Sequence, residues 1–205
     1  MIKNIVFDMG RVLIDWDPEV IVAREKLNAE DSRLLLREVF QCAEWAAMDH
    51  GWMSADEGCG RICRRLPERL HENARHCVYD WWKAPLDPID GMAELVREVK
   101  ALGYGVYLLS NATSTLHQYF HRIPGSECFD GLIVSADVKM LKPQHEIYEE
   151  LYRQFSLDPK ECFFIDDSIL NVDGAWLSGM QATVFLNDMP RLRRELNEAG
   201  IPVKA

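Results

Sequence analysis

From residue 88 onward the apolar positions change period again and again. The stretch "DGMAELVREVKALG" (90 to 103) spaces them as a helix does and is followed by "YGVYLLS" (104 to 110), an almost unbroken apolar run, with Gly103 suited to closing the helix. The alternation then continues. It predicts a polar helix near 113 to 121, a strand "GLIVS" (131 to 135), a helix from Pro143 to about Phe155 and a strand "CFFID" (162 to 166). A helix from about 169 to 178, a strand "ATVFL" (182 to 186) and a helix near 190 to 199 follow. Strands that are apolar throughout, set between amphipathic helices, predict a parallel sheet covered on both faces, and the opening run at 2 to 7 belongs to it.

Residues 16 to 87 carry helical periodicity alone, together with five of the six tryptophans. The predicted class is therefore α/β: a Rossmann-like parallel-sheet core from residues 1 to 15 and 88 to 205, with an all-helical cap domain (16 to 87) inserted after the first strand. The chain returns through the stiff "KAPLDP" (83 to 88).

Ligands of open parallel sheets gather at the carboxyl ends of the strands, so those ends hold the candidate chemistry. The first ends at Asp8, with Gly10 two positions on, in "IVFDMGRVLIDWD". The second ends in "LLSNAT", where Ser110 and Asn111 can bind an anion together with backbone amides; they can equally cap a helix. After the third come Lys139 and Lys142, the latter fixed by a following proline and able to aim one ammonium at the crevice. The fourth ends in "FFIDDSILNVDGA". Two adjacent carboxylates after an apolar strand need a cation to neutralise them, and Asp166, Asp167 and Asn171 are oxygen donors of the kind Mg²⁺ takes.

Composition narrows the partners. At 205 residues and 48% hydrophobic content the chain can bury a full core. A formal charge of −10 disfavours nucleic acid and anionic membrane as partners, because both need clustered positive charge. The absence of a long apolar segment or a signal-peptide pattern makes a cytoplasmic location the expectation. Six scattered cysteines in a chain of this size read as reduced buried thiols rather than a disulfide framework or a zinc site.

Taken together, a carboxylate, a hydroxyl and amide anion pocket, a lysine and an acid pair, in this order along the chain, resemble the haloacid dehalogenase superfamily, whose helical caps follow the first motif. The resemblance implies a Mg²⁺-dependent phosphatase acting on small phosphorylated metabolites. It makes Asp8 the nucleophile that forms an aspartyl-phosphate, and Ser110 with the amide of Asn111 the holder of the phosphoryl group. Lys142 becomes the charge-offsetting catalytic lysine. The metal would lie on Asp8, the Gly10 carbonyl and Asp167, with Asp166 contributing. Most phosphatases of the family carry an aspartate where Gly10 stands, as the acid that protonates the leaving group.

Three readings of that gap remain open. A sugar 1-phosphate, whose leaving group is acidic, needs little help, with Asp15, Asp17 or His50 as stand-in donors. A metal-independent 2-haloacid dehalogenase needs no proton at all, and a non-catalytic phospho-binding protein needs no chemistry. The sequence looks most like the bacterial α-D-glucose-1-phosphate phosphatase group, which makes sugar phosphates the expected substrates. In the cap, "EWAAMDHGWMSADE" (44 to 57) breaks at Gly51. His50, Trp52 and Trp45 are candidates to read the substrate's organic part, while packing inside the cap is the other reading for Trp45, Trp81 and Trp82. A monomer and a dimer both fit the composition.

Overall fold

The computed structural model describes residues 1–204. Five strands, β1 (Asn4–Phe7), β2 (Gly105–Ser110), β3 (Gly131–Val134), β4 (Cys162–Asp166) and β5 (Gln181–Val184), form one parallel sheet in the order β3-β2-β1-β4-β5. Alternate residues divide between two apolar clusters. Ile5, Phe7, Val106, Leu108 and Ile165 belong to one face; Val6, Leu109, Ile133 and Phe164 belong to the other. Burial on both sides is why these strands read as continuous apolar runs. Helix Met92–Ala101 shows how the faces are covered: Met92, Leu95, Val96 and Val99 form its buried stripe, each side chain worth about 1.5–3 kcal/mol of burial, and Gly103 closes it at φ +90°.

The helices between Pro18 and Lys83 enclose an apolar cluster of their own, with Leu35, Val39, Ile62 and Leu70 among its most buried members. Both chain crossings into this region lie side by side. Ile14 forms bridges with Gly10 and Pro88, the Asp15 N–H donates to the Asp87 carbonyl (2.7 Å), and the Ile89 N–H donates to that of Leu13 (3.1 Å). Ser54 caps helix Ala55–Arg65: its hydroxyl accepts from the Glu57 N–H at 3.2 Å, while the Glu57 carboxylate turns to Arg61.

Several boundaries differ from the sequence expectation. The polar helix near 113 to 121 contracts to Leu116–Tyr119 and one tighter turn. The run "GLIVS" stops one residue early because Ser135 begins a short helix, Ser135–Val138. Pro143 lies ahead of its helix, in a turn closed by the Gln144 N–H and the Leu141 carbonyl (2.8 Å), with a cis bond from Lys142; the helix itself is His145–Phe155.

Gly51 packs the helical region against the short helix after β3. At φ +75° it packs on the Ala136 backbone, and a Cβ there would collide with the Ala136 carbonyl. Gly51→Ala is expected to cost roughly 2–3 kcal/mol, combining left-handed strain with that collision. Thermal unfolding should show it as a fall of about 5–10 °C; an unchanged melting curve would mean the two regions do not pack this way.

Candidate active site

The sheet order explains why distant residues meet. β1 lies between β2 and β4, so the ends of three neighbouring strands present Asp8, Ser110 and Asp166 on one rim. Asp8 and Ser110 open onto a cavity of about 440 Å³.

Lys142 is the centre of the charge arrangement. Its ammonium is 2.6 Å from Asp166 and 2.8 Å from Asp8, and its side chain is 1% exposed. Burial alone would lower its pKa, but the two carboxylates outweigh that and raise it, so the lysine stays charged. Asn111 fixes it in place from the opposite loop: the Asn111 amide donates to the Lys142 carbonyl (3.0 Å) and accepts from its N–H (2.9 Å). The Asn111 side chain is therefore spent on the lysine loop, which leaves its backbone N–H to meet an anion. Ser110 is 99% buried, with only its end of the strand open to the cavity. Lys139, in a left-handed conformation at the surface, takes no part.

Asp166 and Asp167 play different roles despite their adjacency. Fully buried Asp166 accepts from Lys142, from the Ser168 N–H (2.8 Å) and from the Asn171 amide (3.0 and 3.1 Å). Its oxygens are already engaged, which makes it the anchor of the lysine more than a free metal ligand. Asp167 instead lines the cavity, half-buried, and its pKa is raised by burial and by the Asp166 charge. Burial likewise pushes Asp8 up to about 7, with Asp166 adding to the rise and Lys142 opposing it.

Both carboxyls lie in a pocket short of positive charge. The carboxylates of Asp8, Asp166 and Asp167 have oxygens within 4.8 Å of one another, against one buried ammonium. A hard divalent ion matches both the oxygen donors and the surplus charge. Asp8 and Asp167 offer it carboxylate oxygens, and Gly10, which also lines the cavity, offers its carbonyl. Magnesium fits the residues present.

The cap-side expectations need correction. His50 and Trp52 do not line the cavity: they stack on each other at 3.7 Å, with His50 buried and Trp52 72% exposed on the outer surface. Asp15 lies outside the cavity, and Asp17 caps helix Pro18–Ala23 by accepting from the Glu19 N–H at 2.8 Å. The wall facing the acids is made of Trp16, Trp45, Trp81 and Tyr119, and it includes Asp49. Of the tryptophans weighed as packing residues, Trp45 and Trp81 contact the apolar cluster of the helical region and line the cavity as well, while Trp82 stacks on Tyr119 (5.6 Å). Sequence reasoning missed Trp16, Tyr119 and Asp49. The spacing of Trp45 and Asp49, four residues apart and so on one helix face, was the available signal.

Comparison with known proteins identifies the family and the fold. A family model described as haloacid dehalogenase-like hydrolase matches residues 2–176. A sesquiterpene phosphatase of Aspergillus oryzae is 28% identical over 179 residues, 87% of each chain. A D-ribitol-5-phosphate phosphatase of Bacteroides thetaiotaomicron is 29% identical over 184 residues, 84% of this chain and 86% of that one. Among solved structures, the magnesium complex of a HAD family enzyme from B. thetaiotaomicron superposes with a TM-score of 0.69 at 25% identity, covering 94% of this chain and 98% of the other. The L-2-haloacid dehalogenase of Xanthobacter autotrophicus shares the fold, with a TM-score of 0.67 at 17% identity over 99% of this chain and 85% of that one.

Proposed function

This chain belongs to the haloacid dehalogenase-like hydrolases, and from that premise we propose that it is a Mg²⁺-dependent phosphatase of small phosphorylated metabolites. The observation that carries the reading is Asp8 held at 2.8 Å by a buried lysine, beside an acid pair whose charge is not balanced. A carboxylate cannot approach a phosphate dianion unless cations offset the repulsion, and this site is built to hold cations. A halide displacement has no use for such a cluster, which disfavours the dehalogenase alternative.

In this mechanism Asp8 attacks phosphorus while Lys142 orients it and offsets charge on both reacting groups. The Ser110 hydroxyl and the Asn111 N–H hold the equatorial oxygens of the transferring group, and Asp166 keeps the lysine aimed. A bound Mg²⁺ supplies Lewis-acid stabilisation of the charge developing on the phosphoryl oxygens. Water then hydrolyses the aspartyl-phosphate. Residues 16 to 87 act as the cap that selects the substrate and excludes bulk water.

Sugar phosphates, in the manner of glucose 1-phosphate, are the first substrate reading, since the faces of Trp16, Trp45 and Trp81 suit the C–H face of a sugar ring. A second reading, an ester with a hydrocarbon body, is favoured by how aromatic that wall is. Phosphate release should be measured over sugar 1-phosphates, sugar 6-phosphates, prenyl phosphates and nucleotides, with Mg²⁺ and with EDTA. Release that EDTA abolishes and Mg²⁺ restores is expected. No release from any ester, with chloride freed from 2-chloropropionate in EDTA, would turn the assignment to a dehalogenase. No helix among the described residues is long and apolar enough to cross a membrane, and we place the enzyme in the cytoplasm.

A further inference from the structure

Ester hydrolysis at this site leaves one proton without a carrier. The leaving oxygen must gain a proton as its bond to phosphorus breaks, and the water that later attacks must lose one. Gly10, two residues after the nucleophile, has no side chain to do either. Apart from Asp8 and Asp167, a single carboxyl lines the cavity, and it comes from the helical region: Asp49.

We propose that Asp49 is the general acid and base of the reaction, a reading that rests on the phosphatase assignment. The Asp49 carboxyl donates its proton to the leaving oxygen as the bond from Asp8 to phosphorus forms and the ester P–O bond breaks. The resulting Asp49 carboxylate then takes a proton from the water that attacks phosphorus. The products are the alcohol, inorganic phosphate, free Asp8 and reprotonated Asp49, so protons and bonds balance over the cycle.

Placement supports the assignment first. Asp49 is the last residue of helix Ala43–Asp49, and its main chain is tied to the sheet end: the Ser135 hydroxyl donates to the Asp49 carbonyl at 2.5 Å. The same Ser135 oxygen accepts the Ala112 N–H (2.9 Å), in the loop that follows Ser110. Gly51, packed on Ala136 two residues later, secures the other side. Asp49 thus enters the cavity from a segment fastened beside the phosphate pocket.

Chemistry supports it second. An acid at a helix C-terminus opposes the helix dipole, and among the described residues Asp49 has no ion-pair partner. No stabilising role explains it. Burial pushes its carboxyl up to about 8, with a hydrogen bond from Trp45 opposing the rise, so at neutral pH it carries the proton an acid must deliver. Tyr119 lines the same cavity and is held protonated chiefly by burial, and more firmly once Asp49 is ionised. The other charged groups on the cavity wall are Asp8, Arg11, Lys142 and Asp167.

The test compares leaving groups in the Mg²⁺-loaded protein. p-Nitrophenyl phosphate releases a phenolate that departs without a proton; an alkyl phosphate releases an alkoxide that needs one. For Asp49→Asn and Asp49→Ala, kcat/KM on the alkyl ester should fall about 10²-fold more than on p-nitrophenyl phosphate. The alkaline limb of the alkyl-ester pH profile, near pH 8 in the unaltered protein, should vanish in Asp49→Asn. Equal losses on both esters, or no loss on either, would overturn the assignment and leave Asp49 as part of the cavity wall. Should the unaltered protein release no phosphate from any ester, the phosphatase reading itself would be the one to fall. Thermal unfolding of both variants separates misfolding from lost chemistry, since removing a partly buried acid that has no ion-pair partner should leave the melting temperature level or higher.

Discussion

Asp8→Asn should abolish phosphate release and at the same time make the metal-free protein more stable. Loss of a covalent nucleophile costs roughly 10⁴- to 10⁶-fold in turnover. The gain in stability follows from the direction in which burial moves the carboxyl. Asp8 has a pKa near 7 in the fold against an ordinary 3.8, so between those values the folded state binds more protons than the unfolded one. Stability then falls as the pH climbs from about 4 through 7. Asparagine has no such charge to bury, so a metal-free melt at pH 7.5 should run above the unaltered protein and the two should converge near pH 4. A variant as active as the original would remove Asp8 from the mechanism. One that is inactive and less stable would show a structural carboxylate instead of a strained catalytic one.

Lys142→Met should lose both activity and stability. Its ammonium neutralises two carboxylates, one of them Asp166 at 0% exposure. Methionine keeps much of the volume and removes the charge. Stranding a buried anion in this way costs about 3–5 kcal/mol, and turnover should drop beyond detection. The pH dependence has a definite sign: Lys142 opposes the upward push of burial on the Asp8 carboxyl, so without the lysine the folded state takes up that proton more readily and the variant should recover part of its melting temperature as the pH is lowered. If Lys142→Met melts with the original at every pH, the ion pairs at 2.6 and 2.8 Å do not form in solution. The two substitutions form a contrast, because both remove catalysis while shifting stability in opposite directions.

The sheet and its rim were legible because the physics is local. A strand buried on both faces must be apolar at each position, so β1, β2 and β4 announced themselves, and a carboxylate or hydroxyl directly after each run is forced to the strand end. Asp8, Ser110 and Asp167 were singled out in this way, and Lys142 by the proline that follows it. The division of labour between Asp166 and Asp167 was not readable: adjacent residues of an extended chain point to opposite sides, and only the position of Lys142 decides which is buried. The helical region was harder still. Successive residues on a helix point about 100° apart, so a reading that is off by one residue picks His50, which turns away under Trp52, in place of Asp49. Tryptophans in a small helical region satisfy a core and a cavity wall equally well, and Trp45 and Trp81 do both. The short helix at Ser135 escaped because its first residue continues an apolar run.

The clamp between Asn111 and Lys142 bears on how such a chain can diverge. Both hydrogen bonds run from the asparagine side chain to the backbone of residue 142, so the clamp depends on the identity of residue 111 and is indifferent to the side chain at 142. Descendants that gave up the chemistry could therefore let the lysine drift, together with its buried acid partner, and still close the loop. They could not release the asparagine without loosening two segments at once. Asparagine at 111 would thus persist as a trace of architecture after catalysis was gone, and the lysine at 142 would mark the lineages that still use it.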